Sequence, residues 1–582
     1  MQYRLINEEN NKGSALYRVL INRGIEDPVH YLNTTDDDII DPIIIHNMTA
    51  AARCLVTHIA AEDNVFINID SDCDGYTSSA FLINWLYRSF PGFAANHLYW
   101  GMHEDKGHGL LMNEIFKTIP TKYKLVICPD AGSEEFEKHK EIKNAGLDLI
   151  IIDHHNADHY SEDAIVINNQ LDKNYETKSL SGVGMVYKFC SYLDKLNGNT
   201  HADDLLDIAA LGIIADVMPL KDYETRRLID KGLAKIENPF IKAMVAKNEY
   251  SLKGEVTPVG VAWYIAPAVN AVTRVGTNSE KEILFESFLD HKAYTLVPST
   301  KRGHKAGDTE TIVEQACRIC NNVKNRQNKI RDSLVEGIDF QIKKEHLLDN
   351  KILFIQLEEP TEDSKSITGL IANKLMTTYG HPVMLLNKTF DPETGELTWS
   401  GSGRNNSAAG VDSLQQLAKE SGYFTLAQGH DNALGLSIPD SNVAAFLDWS
   451  NKKLANEDFS LTYNVDIEYL PNKIDKADLL ELADAKSIWG QEVDEPLIAL
   501  KNVSITKDNL NLFGSTLKIS LPENISIVKF KSSQDEFDEL YPGEGCIIID
   551  VVGRCMRNTG WDNEPQIIME DYNIVRKQEY YF

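Results

Sequence analysis

The sequence predicts an α/β protein built on a doubly wound parallel sheet, followed by a second, smaller α/β domain and a C-terminal β-barrel. Three observations lead to this prediction. From about residue 40 to 275, short apolar runs alternate with helical patterns, as in parallel sheets covered by helices. A second alternation of this kind extends from 352 to about 455. After about 460, β-rich runs such as 525–530 and 546–552 are separated by turn residues.

These changes of pattern predict the domain boundaries. Residues from about 280 to 350 lack strand signals, and their helix formers predict a long helix over 309–344, broken near Gly337. The expected parts are an N-terminal helical segment (1–40), the main α/β domain (41–279), a connecting helical linker (280–350), the second α/β domain (351–455) and the β-domain (456–582).

The composition bounds the kind of protein. With 582 residues, 43% of them hydrophobic and 25% charged, the chain is long enough for about three or four domains with buried cores. Its eight cysteines suit reduced thiols, and the one close pair, Cys317 and Cys320, has no second pair at zinc spacing. No apolar run reaches the length of about eighteen residues that spans a membrane, and residues 1–4 begin a polar stretch without a signal-peptide core. We therefore expect a cytoplasmic location and no membrane partner.

Chemically active side chains follow three of the predicted strands. The groups are Asp70, Asp72 and Asp74 after the run 65–69, Asp130 after 125–128, and Asp153, His154 and His155 after 149–152. Because ligands bind at the carboxyl ends of strands in open α/β sheets, we expect these groups to converge. Neighbouring aspartates repel one another, and a bound divalent cation removes that repulsion. Carboxylates and imidazole favour Mn²⁺ or Mg²⁺, so the sequence predicts a metal-dependent enzyme.

The pattern Asp-x-Asp-x-Asp-Gly also opens calcium-binding EF-hand loops. Here the twelfth position is Phe81 instead of glutamate, and the motif follows a strand instead of a helix. Asp-His-His by itself is also weak evidence for a metal site, since pairs of histidines often only cap a helix or pack in a core. The three strand ends together favour the enzyme. Two cations about 3.5 to 4 Å apart, bridged by one carboxylate, would suit displacement at a phosphoester.

In order along the chain, these and other segments resemble the DHH phosphoesterases, and among them the RecJ-type single-stranded-DNA exonucleases. The matching segments are Asn22-Arg23-Gly24-Ile25, Asp70 to Gly75, Gly107-His108-Gly109-Leu110, Asp130-Ala131-Gly132, Asp153-His154-His155, Gly182-Val183-Gly184, Asp216 to Leu220, and Pro267, Asn270 and Arg274. The second half matches more loosely, at Ile367 to Leu370, Gly401 to Arg404 and Gly429-His430, with Gln428 in place of a glycine and Asn405 in place of a serine. The resemblance implies a DHH domain, a DHH-associated domain and a C-terminal oligonucleotide-binding (OB) fold.

The resemblance also implies roles for individual residues. One metal would be held by Asp72 and Asp130, and the other by Asp74, Asp130, His154 and Asp216, with Asp130 bridging and Asp70 either binding or supporting a metal. His155 and His430 would lie near the scissile phosphate. A terminal 5′-phosphate would be bound by Arg274, Ser402, Arg404 and His103, the last where relatives usually have an arginine.

The activity that the resemblance implies is 5′-to-3′ hydrolysis of single-stranded DNA in repair, recombination or replication, with two Mn²⁺ or Mg²⁺ ions. The expected partners of the monomer are a DNA 5′ end and a single-stranded-DNA-binding protein or helicase. Two alternatives stay open. One is a related phosphodiesterase acting on short oligoribonucleotides or cyclic dinucleotides. The other is a non-catalytic replication or repair scaffold, which the retained metal ligands disfavour.

The net charge of −29 is unusual for a nucleic-acid enzyme, because such proteins normally gain affinity from a positive surface. One candidate DNA path is the segment 301–331, which has eight basic residues against three acidic ones, although an ordinary solvated helix face would look the same. In the β-domain, Phe513, Phe530 and Trp561 would stack bases if exposed. For any single one of these aromatic residues we expect a place in the core.

Overall fold

The computed structural model describes residues 1–8, 13–104, 107–118, 120–391, 394–405, 410–459, 462–559 and 563–578. The chain divides into two units. The central unit consists of Asp27–Gln327 and Lys486–Asp494. The terminal unit consists of Met1–Glu26, Asn328–Ala485 and Glu495–Phe582.

Strands and helices are numbered here in chain order. The strands are β1 Gln2–Leu5, β2 Val65–Ile69, β3 Leu98–Met102, β4 Leu125–Pro129, β5 Asp148–Asp153, β6 Ile165–Asn168, β7 Leu296–Pro298, β8 Thr309–Thr311, β9 Leu353–Leu357, β10 Val383–Phe390, β11 Leu397–Arg404, β12 Leu426–His430, β13 Ala433–Pro439, β14 Thr462–Val465, β15 Ile467–Tyr469, β16 Ile498–Ile505, β17 Leu510–Phe513, β18 Thr516–Ser520, β19 Ser526–Phe530, β20 Cys546–Arg557 and β21 Pro565–Gln578. The α-helices are α1 Ala15–Asn22, α2 Pro28–Leu32, α3 Met48–Ala60, α4 Cys73–Ser89, α5 Pro91–His97, α6 Met112–Ile115, α7 Phe136–Asn144, α8 Gly182–Asn197, α9 Leu206–Ala215, α10 Tyr223–Ala234, α11 Pro239–Lys247, α12 Glu249–Leu252, α13 Pro258–Gly260, α14 Ala266–Val275, α15 Asn278–Ser287, α16 Ile312–Lys344, α17 Glu362–Tyr379, α18 Leu414–Ser421, α19 Asp440–Lys453, α20 Lys476–Asp484 and α21 Gln534–Leu540.

The central unit is built on a five-stranded sheet of order β3-β2-β4-β5-β6 in which every neighbouring pair is parallel. All residues of β2 and β4 are buried, as expected for apolar strands covered on both faces. The predicted strands at 65–69, 125–128 and 149–152 and the α/β fold with a parallel sheet are thereby confirmed. The alternation of strands and helices was expected to continue to about residue 275. It ends earlier, because β6 is the last strand of the sheet and helices α8 to α15 follow it.

The strand order fixes where ligands collect. The first strand of the sheet, β2, lies between β3 and β4, so the chain winds outward from it in both directions. In such sheets the carboxyl ends of the strands at the switch point form a crevice. Helix α4, which follows β2, is buried over most of its length and packs against α8 and α9. The loops after β2, β4 and β5 are therefore held against a rigid helical layer.

The terminal unit contains a mixed five-stranded sheet of order β12-β13-β11-β10-β9. Strands β9 and β10 are parallel, and the remaining neighbours are antiparallel. Helix α17 packs against β10 and β11. The unit has its own apolar core, in which Trp399 and Phe446 are buried. These elements correspond to the second α/β domain that the sequence predicts over 351–455.

A second sheet of the terminal unit has seven strands in the order β15-β16-β20-β21-β19-β18-β17. It includes the β-rich runs predicted at 525–530 and 546–552. Its outermost strands, β15 and β17, do not pair with each other in the described part of the chain, so the sheet is not closed into a barrel. The predicted closed β-barrel is therefore not seen, because the sheet keeps two edges.

The N-terminal residues belong to the terminal unit and include a strand as well as helices. Strand β1 pairs in parallel with β14. After α1, Arg23 forms a two-pronged ion pair with Asp466, with nitrogen–oxygen distances of 2.7 and 2.9 Å. The Asp466 side chain is fully buried. The motif at residues 22–25 therefore has a structural role in this unit.

The long helix of the linker, α16, continues through Gly337, where the sequence predicted a break. Glycine lowers helix stability by only about 1 kcal/mol. The neighbouring Ile338 and Ile342 are buried at 3% and 1% exposure, so packing outweighs that cost. The boundary between the two units lies within this helix.

Two expectations from composition can be compared with the structure. All eight cysteines are free thiols, as predicted. No single helix of the described ranges is both long and apolar enough to span a membrane, although the bent pair Asp36–Ile44 and Met48–Ala60 together meet the length and composition test.

Candidate metal centre

The predicted metal ligands meet at the switch point of the parallel sheet. They are supplied by several elements: Asp70 and Asp72 lie between β2 and α4, Asp74 in the first turn of α4, Asp130 after β4, His154 after β5, and Asp216 after α9. Asp72 is the N-cap residue of α4, and its Oδ1 accepts a hydrogen bond from the Gly75 amide at 2.9 Å. The helix start therefore fixes the backbone of this motif.

Three carboxylates surround the imidazole of His154. Its Nε2 lies 3.2 Å from Asp130 Oδ1, 3.4 Å from Asp216 Oδ2 and 3.9 Å from Asp74 Oδ2. Two sets of ligand atoms each lie within 4.8 Å of one another, namely Asp74, His154 and Asp216 in one set and Asp70, Asp72 and Asp130 in the other. The structure thus brings all six predicted ligands into two groups. Asp130 belongs to the second group and also lies beside His154, which belongs to the first.

The electrostatics of these groups fit divalent cations. Within the described residues, Asp130 Oδ1 and Asp216 Oδ2 are buried and receive no hydrogen bond. Burial, reinforced by the charge of Asp74, raises the pKa of both carboxyls well above the ordinary value. Burial and the charge of Asp72 raise the pKa of Asp74 to about 6. A bound cation would accept the lone pairs of these buried oxygens, which receive no hydrogen bond, and would compensate the negative charges.

Helix α8 holds Asp74 in place. The Asp74 carboxylate accepts hydrogen bonds from Ser181 Oγ at 3.0 Å, from the Gly182 amide at 2.6 Å and from the Val183 amide at 3.2 Å. The amides and dipole of a helix N-terminus favour a negative charge at this place. A Cβ atom at Gly182 would collide with the Asp130 carboxylate. The glycine-rich motif is therefore needed for the close approach of α8 to two ligands.

Two non-glycine residues at the centre have left-handed backbone conformations. Asp130 has φ 64° and Val217, next to Asp216, has φ 59°. This region is particularly unfavourable for a β-branched side chain such as valine, which is also 53% exposed here. Backbone strain of this kind persists where the surrounding structure fixes a functional geometry.

Asp153 positions the two histidines that follow it. Its Oδ1 accepts hydrogen bonds from the His154 amide at 2.7 Å and from His155 Nδ1 at 2.8 Å. Burial alone would raise the pKa of Asp153, but the hydrogen bond and charge of His155 lower it. Burial would lower the pKa of His155, but Asp153 raises it to about 9. The His155 side chain is 61% exposed, with Nδ1 bound inward.

The turn at 107–110 is attached to Asp70. The Gly109 amide donates to Asp70 Oδ1 at 3.0 Å, and His108 Nδ1 lies 2.7 Å from Asp70 Oδ2. His103 Nε2 lies 2.9 Å from the Gly109 carbonyl oxygen, so His103 belongs to the same turn. Sequence analysis missed His108 as a site residue. Its position between two glycines of the turn motif was the available signal.

Arg274 and Asn270 lie on α14, beside the start of α4. Asn270 Oδ1 accepts a hydrogen bond from the Cys73 amide at 3.1 Å, which fixes α14 to the helix that carries Asp74. Burial lowers the pKa of Arg274, while the nearby charge of Asp72 opposes this shift. The half-buried guanidinium is therefore close enough to the metal centre to interact with its charge.

In the terminal unit, the predicted phosphate-binding residues share one face of the mixed sheet. Ala433 of β13 pairs with Arg404 on one side and with His430 on the other, which places those two residues about 10 Å apart. Ser402 lies two residues before Arg404 and therefore on the same face, with Oγ 2.9 Å from Thr368 Oγ1. Because Ala433 on the strand between them has a small side chain, little side-chain volume separates Arg404 and His430.

Each of the two units has large aromatic side chains that are exposed to solvent. Trp263 and Tyr264 are 73% and 45% exposed in a π-helical turn, Val261–Ile265, that leads into α14. Such turns are frequent at functional sites, and sequence analysis did not identify this one. In the terminal unit, Phe513 and Phe530 are 64% and 52% exposed, which corrects the expectation that each lies in the core. Trp561 lies outside the described residues.

Phe513 and Phe530 are exposed because of their place in the sheet. Both pair with Thr516 of the strand between them, so the three side chains lie on the same face. Each phenylalanine is the last residue of its strand, and β17, which carries Phe513, is an outermost strand of the sheet. The two rings therefore flank a small residue on an accessible surface.

The basic segment 301–331 is partly neutralised. Among the described residues, at least four of its eight cations form ion pairs with acidic residues: Lys301 and Arg318 with Glu310, Arg326 with Glu280, and Arg331 with Asp332. The segment therefore offers less positive charge to DNA than its composition indicates.

The family of the chain is identified by comparison with known proteins. Residues 64–213 match the DHH family, N-terminal domain. These residues include Asp70 to Asp74, Asp130 and His154. The chain is thus a DHH phosphoesterase, a metal-dependent phosphodiesterase by class.

Longer matches define the branch of this family. Over 587 positions, covering the whole chain and 99% of the relative, the chain is 35% identical to the SPbeta prophage-derived protein YorK of Bacillus subtilis (strain 168), whose name describes a single-strand DNA-specific exonuclease. It is 24% identical to the single-stranded-DNA-specific exonuclease RecJ of the same organism, over 96% of this chain and 68% of RecJ. The chain belongs to the RecJ-like members of the DHH family, which confirms the resemblance noted from the sequence.

Solved structures show the same fold. The crystal structures of RecJ from Thermus thermophilus with Mn²⁺ and with Mg²⁺ match with TM-scores of 0.69 and 0.65, at 19% and 18% identity. The matches cover 97% of this chain and 76% and 75% of those chains. The expected cofactors, Mn²⁺ or Mg²⁺, agree with these complexes and with the acidic clusters described above.

Proposed function

We propose that the protein removes nucleotides from the 5′ end of single-stranded DNA by a two-metal mechanism. The observation that supports this proposal is the pair of adjacent ligand groups around Asp130 and His154 Nε2, two carboxylate oxygens of which are buried without a hydrogen-bond donor. The presence of the complete ligand set disfavours a non-catalytic scaffold.

Each ligand has a defined task. Asp72 and Asp130 would hold one cation, and Asp74, Asp130, His154 and Asp216 the other, while Asp70 supports the 107–110 turn beside them. When bound, the two cations supply charge compensation and activation at the scissile phosphate. Asp153 keeps Nδ1 of His155 engaged, so that Nε2 is the nitrogen directed to substrate.

The proposed reaction replaces one phosphorus–oxygen bond by another. Water adds its oxygen to phosphorus, the bond to the O3′ atom of the first nucleotide breaks, and O3′ leaves with a proton. His155, protonated because Asp153 raises its pKa to about 9, is suited to donate that proton. The phosphate stays on the next nucleotide as a new 5′-phosphate. Each product strand therefore has the same kind of end as its precursor.

Phosphate recognition is assigned to two sets of residues, each described within its own unit. In the central unit the set is Arg274, with its charge near Asp72, and His103 on the 107–110 turn. In the terminal unit the set is Ser402 and Arg404, and His430 on the same sheet face would lie near the scissile phosphate. Guanidinium groups suit this task because they bind phosphate oxygens in a two-pronged geometry.

Single-strand preference is supported by the exposed aromatic residues. Trp263 lies about 16 Å from Arg274 along a continuous helical path, which corresponds to several nucleotides. Phe513 and Phe530 lie on an exposed face of the seven-stranded sheet, which we propose to bind nucleic acid in the manner of an OB fold. A stacked ring contacts only an unpaired base, so this contact is absent for duplex DNA.

The cellular setting is part of the same proposal. We infer a monomeric cytoplasmic enzyme of DNA repair, recombination or replication, acting with a single-stranded-DNA-binding protein or a helicase. We also propose an entry segment at 1–40, a DHH domain at 41–279, a linker at 280–350, a DHH-associated domain at 351–455 and a nucleic-acid-binding domain at 456–582. Hydrolysis of short oligoribonucleotides or cyclic dinucleotides remains the second candidate function, because the acidic surface weakens attraction to long polyanions.

A time course with Mn²⁺ tests the substrate. The DNA is single-stranded, 5′-phosphorylated, 3′-labelled and roughly 16 nucleotides or longer, a length that covers one binding site of this kind. RNA and duplex of the same sequence run beside it, with Asp130→Ala as the inactive control. Progressive shortening of the labelled single-stranded DNA alone supports the proposal. Cleavage confined to RNA or very short oligomers contradicts it and favours the second candidate.

A further inference from the structure

A second group of side chains that could hold a metal ion lies at the amino-terminal end of strand β5 of the parallel sheet. Cys54 and His58 are four residues apart on α3, which places them on the same helix face. Asp148 is the first residue of β5. Cys54 Sγ, a ring nitrogen of His58 and a carboxylate oxygen of Asp148 all lie within 4.8 Å of one another.

This group is remote from the candidate metal centre. Asp148 begins β5, whereas Asp153, which positions His154, ends it. Five residues of strand separate them, a distance of about 16 Å. The group also differs in chemistry, because it contains a thiol and only one carboxylate among its three ligands.

The imidazole of His58 is already oriented for metal binding. Its Nε2 lies 2.9 Å from Asp148 Oδ2, and its Nδ1 lies 2.9 Å from Asp63 Oδ2 on the other side. Histidine ligands in metal sites commonly donate their second ring nitrogen to a carboxylate, which fixes the ring and raises its basicity. The His58 ring is buried, whereas the Asp148 side chain is 66% exposed, so the group is open to solvent on one side.

We propose that Cys54, His58 and Asp148 bind a thiolate-preferring divalent cation of the Zn²⁺ class, with Asp63 positioning the imidazole. A sulfur, a nitrogen and an oxygen ligand are a donor set that Zn²⁺ accepts with tetrahedral geometry, and a water molecule would supply the fourth ligand. Thiolate also selects against Mn²⁺ and Mg²⁺, which prefer oxygen ligands. The two metal sites of the chain would therefore take different ions.

Binding exchanges protons for the metal. Burial, with the charge of Asp148, raises the pKa of Cys54 to about 12, so the sulfur is a thiol without metal. The cation forms a bond to sulfur, and the thiol proton leaves to solvent. Any proton on His58 Nε2 also leaves, since that lone pair becomes a ligand. The complex ties the last turns of α3 and the following turn at Asp63 to the start of β5.

A cobalt titration of the full-length, metal-stripped protein tests this proposal. A thiolate bound to Co²⁺ gives a sulfur-to-metal charge-transfer band in the near ultraviolet, which carboxylate and imidazole ligands do not give. We expect the band in the wild type and its loss in Cys54→Ser and His58→Asn. Cys73→Ser is the matched control, because Cys73 lies between Asp72 and Asp74 and is the thiol nearest the candidate metal centre. The band should persist in that variant.

Absence of the band from the wild type would overturn the proposal, as would its loss in Cys73→Ser with retention in Cys54→Ser. A measurement without substitutions makes the result independent of how the variants fold. Alkylation of Cys54 by iodoacetamide, followed by peptide mapping, should slow at least tenfold when enough Zn²⁺ is present to fill both the candidate metal centre and the proposed site. Equal rates with and without Zn²⁺ would contradict the proposed site.

Discussion

Replacing Asp216 by asparagine is expected to stabilise the metal-free protein and to reduce its stabilisation by Mn²⁺. Asp216 Oδ2 is buried without a hydrogen-bond donor, and a ligand atom of Asp74 lies within 4.8 Å of it. An asparagine has nearly the same shape but no charge. It therefore relieves the repulsion between the two carboxylates while weakening the ligand set.

The size of the effect follows from this geometry. The two ligand atoms lie within 4.8 Å of one another, and two unit charges at that greatest distance repel by about 3.5 kcal/mol at an effective dielectric constant of about 20. For a unit of this size, 1 kcal/mol corresponds to a change of about 2 °C in melting temperature. The melting temperature of Asp216→Asn in EDTA should therefore exceed that of the wild type by about 7 °C at pH 8. For the wild type, Mn²⁺ at about 100 times its Kd should add about 2.7 kcal/mol.

The pH dependence has a definite sign. In the folded chain the pKa of Asp216 is raised by burial and by the charge of Asp74, so ionisation of this group opposes folding. Its contribution to stability is therefore lost as pH rises above the unfolded value of about 3.9. The advantage of Asp216→Asn should be small near pH 4 and grow toward pH 8.

Thermal unfolding in EDTA and in Mn²⁺, at pH 4 to 8, provides the measurement, with nuclease activity recorded beside it. Asp207→Asn is the matched control on the same helix, because the Asp207 carboxylate accepts hydrogen bonds from the Glu237 and Asn238 amides and lies outside the metal centre. That variant should be less stable under both conditions and keep its response to Mn²⁺. If Asp216→Asn is destabilised in EDTA and keeps the full response to Mn²⁺, Asp216 is not a metal ligand.

Three further outcomes are expected. Asp130→Ala should abolish cleavage of single-stranded DNA while far-ultraviolet circular dichroism stays unchanged, because one carboxylate serves both metals; activity near that of the wild type would refute the bridging role. His103→Arg should increase the preference for 5′-phosphorylated over 5′-hydroxyl ends in kcat/KM, and an unchanged ratio would place His103 outside the phosphate site. Arg23→Met should lower the unfolding free energy measured in urea by about 3 to 5 kcal/mol, because it leaves the buried Asp466 charge unpaired. Arg331→Met, which removes an ion pair with the exposed Asp332, should change it by about 1 kcal/mol or less.

The metal centre could be located from the sequence because its residues are tied to strand ends. A largely apolar run of five residues followed by Asp70 describes a buried strand and its carboxyl end with little ambiguity. The same pattern before Asp130 and before His154 then places three groups at one sheet edge. Asp216 has no such pattern, since it follows helix α9, and it was found through the resemblance alone.

Other features depend on packing that a linear pattern does not contain. The unbroken course of α16 through Gly337 depends on the burial of Ile338 and Ile342, not on local propensity. The exposure of Phe513 and Phe530 depends on which strands flank Thr516. Strand β1 is stabilised by pairing with β14, more than four hundred residues away. In each case a partner distant in sequence decides the outcome.

The acidity of the chain and its proposed preference for single strands are consistent with one another. A net charge of −29 repels any nucleic acid at long range, and at least four of the eight cations in 301–331 are already paired. In the proposed function, binding would therefore depend on short-range contacts, namely bound cations, Arg274 and Arg404, and stacking on Trp263, Phe513 and Phe530. Stacking contributes about 1 to 3 kcal/mol per base and requires an unpaired base. A duplex has the higher charge density and offers no free base faces, so an acidic surface with exposed aromatic rings excludes it more strongly than it excludes a single strand.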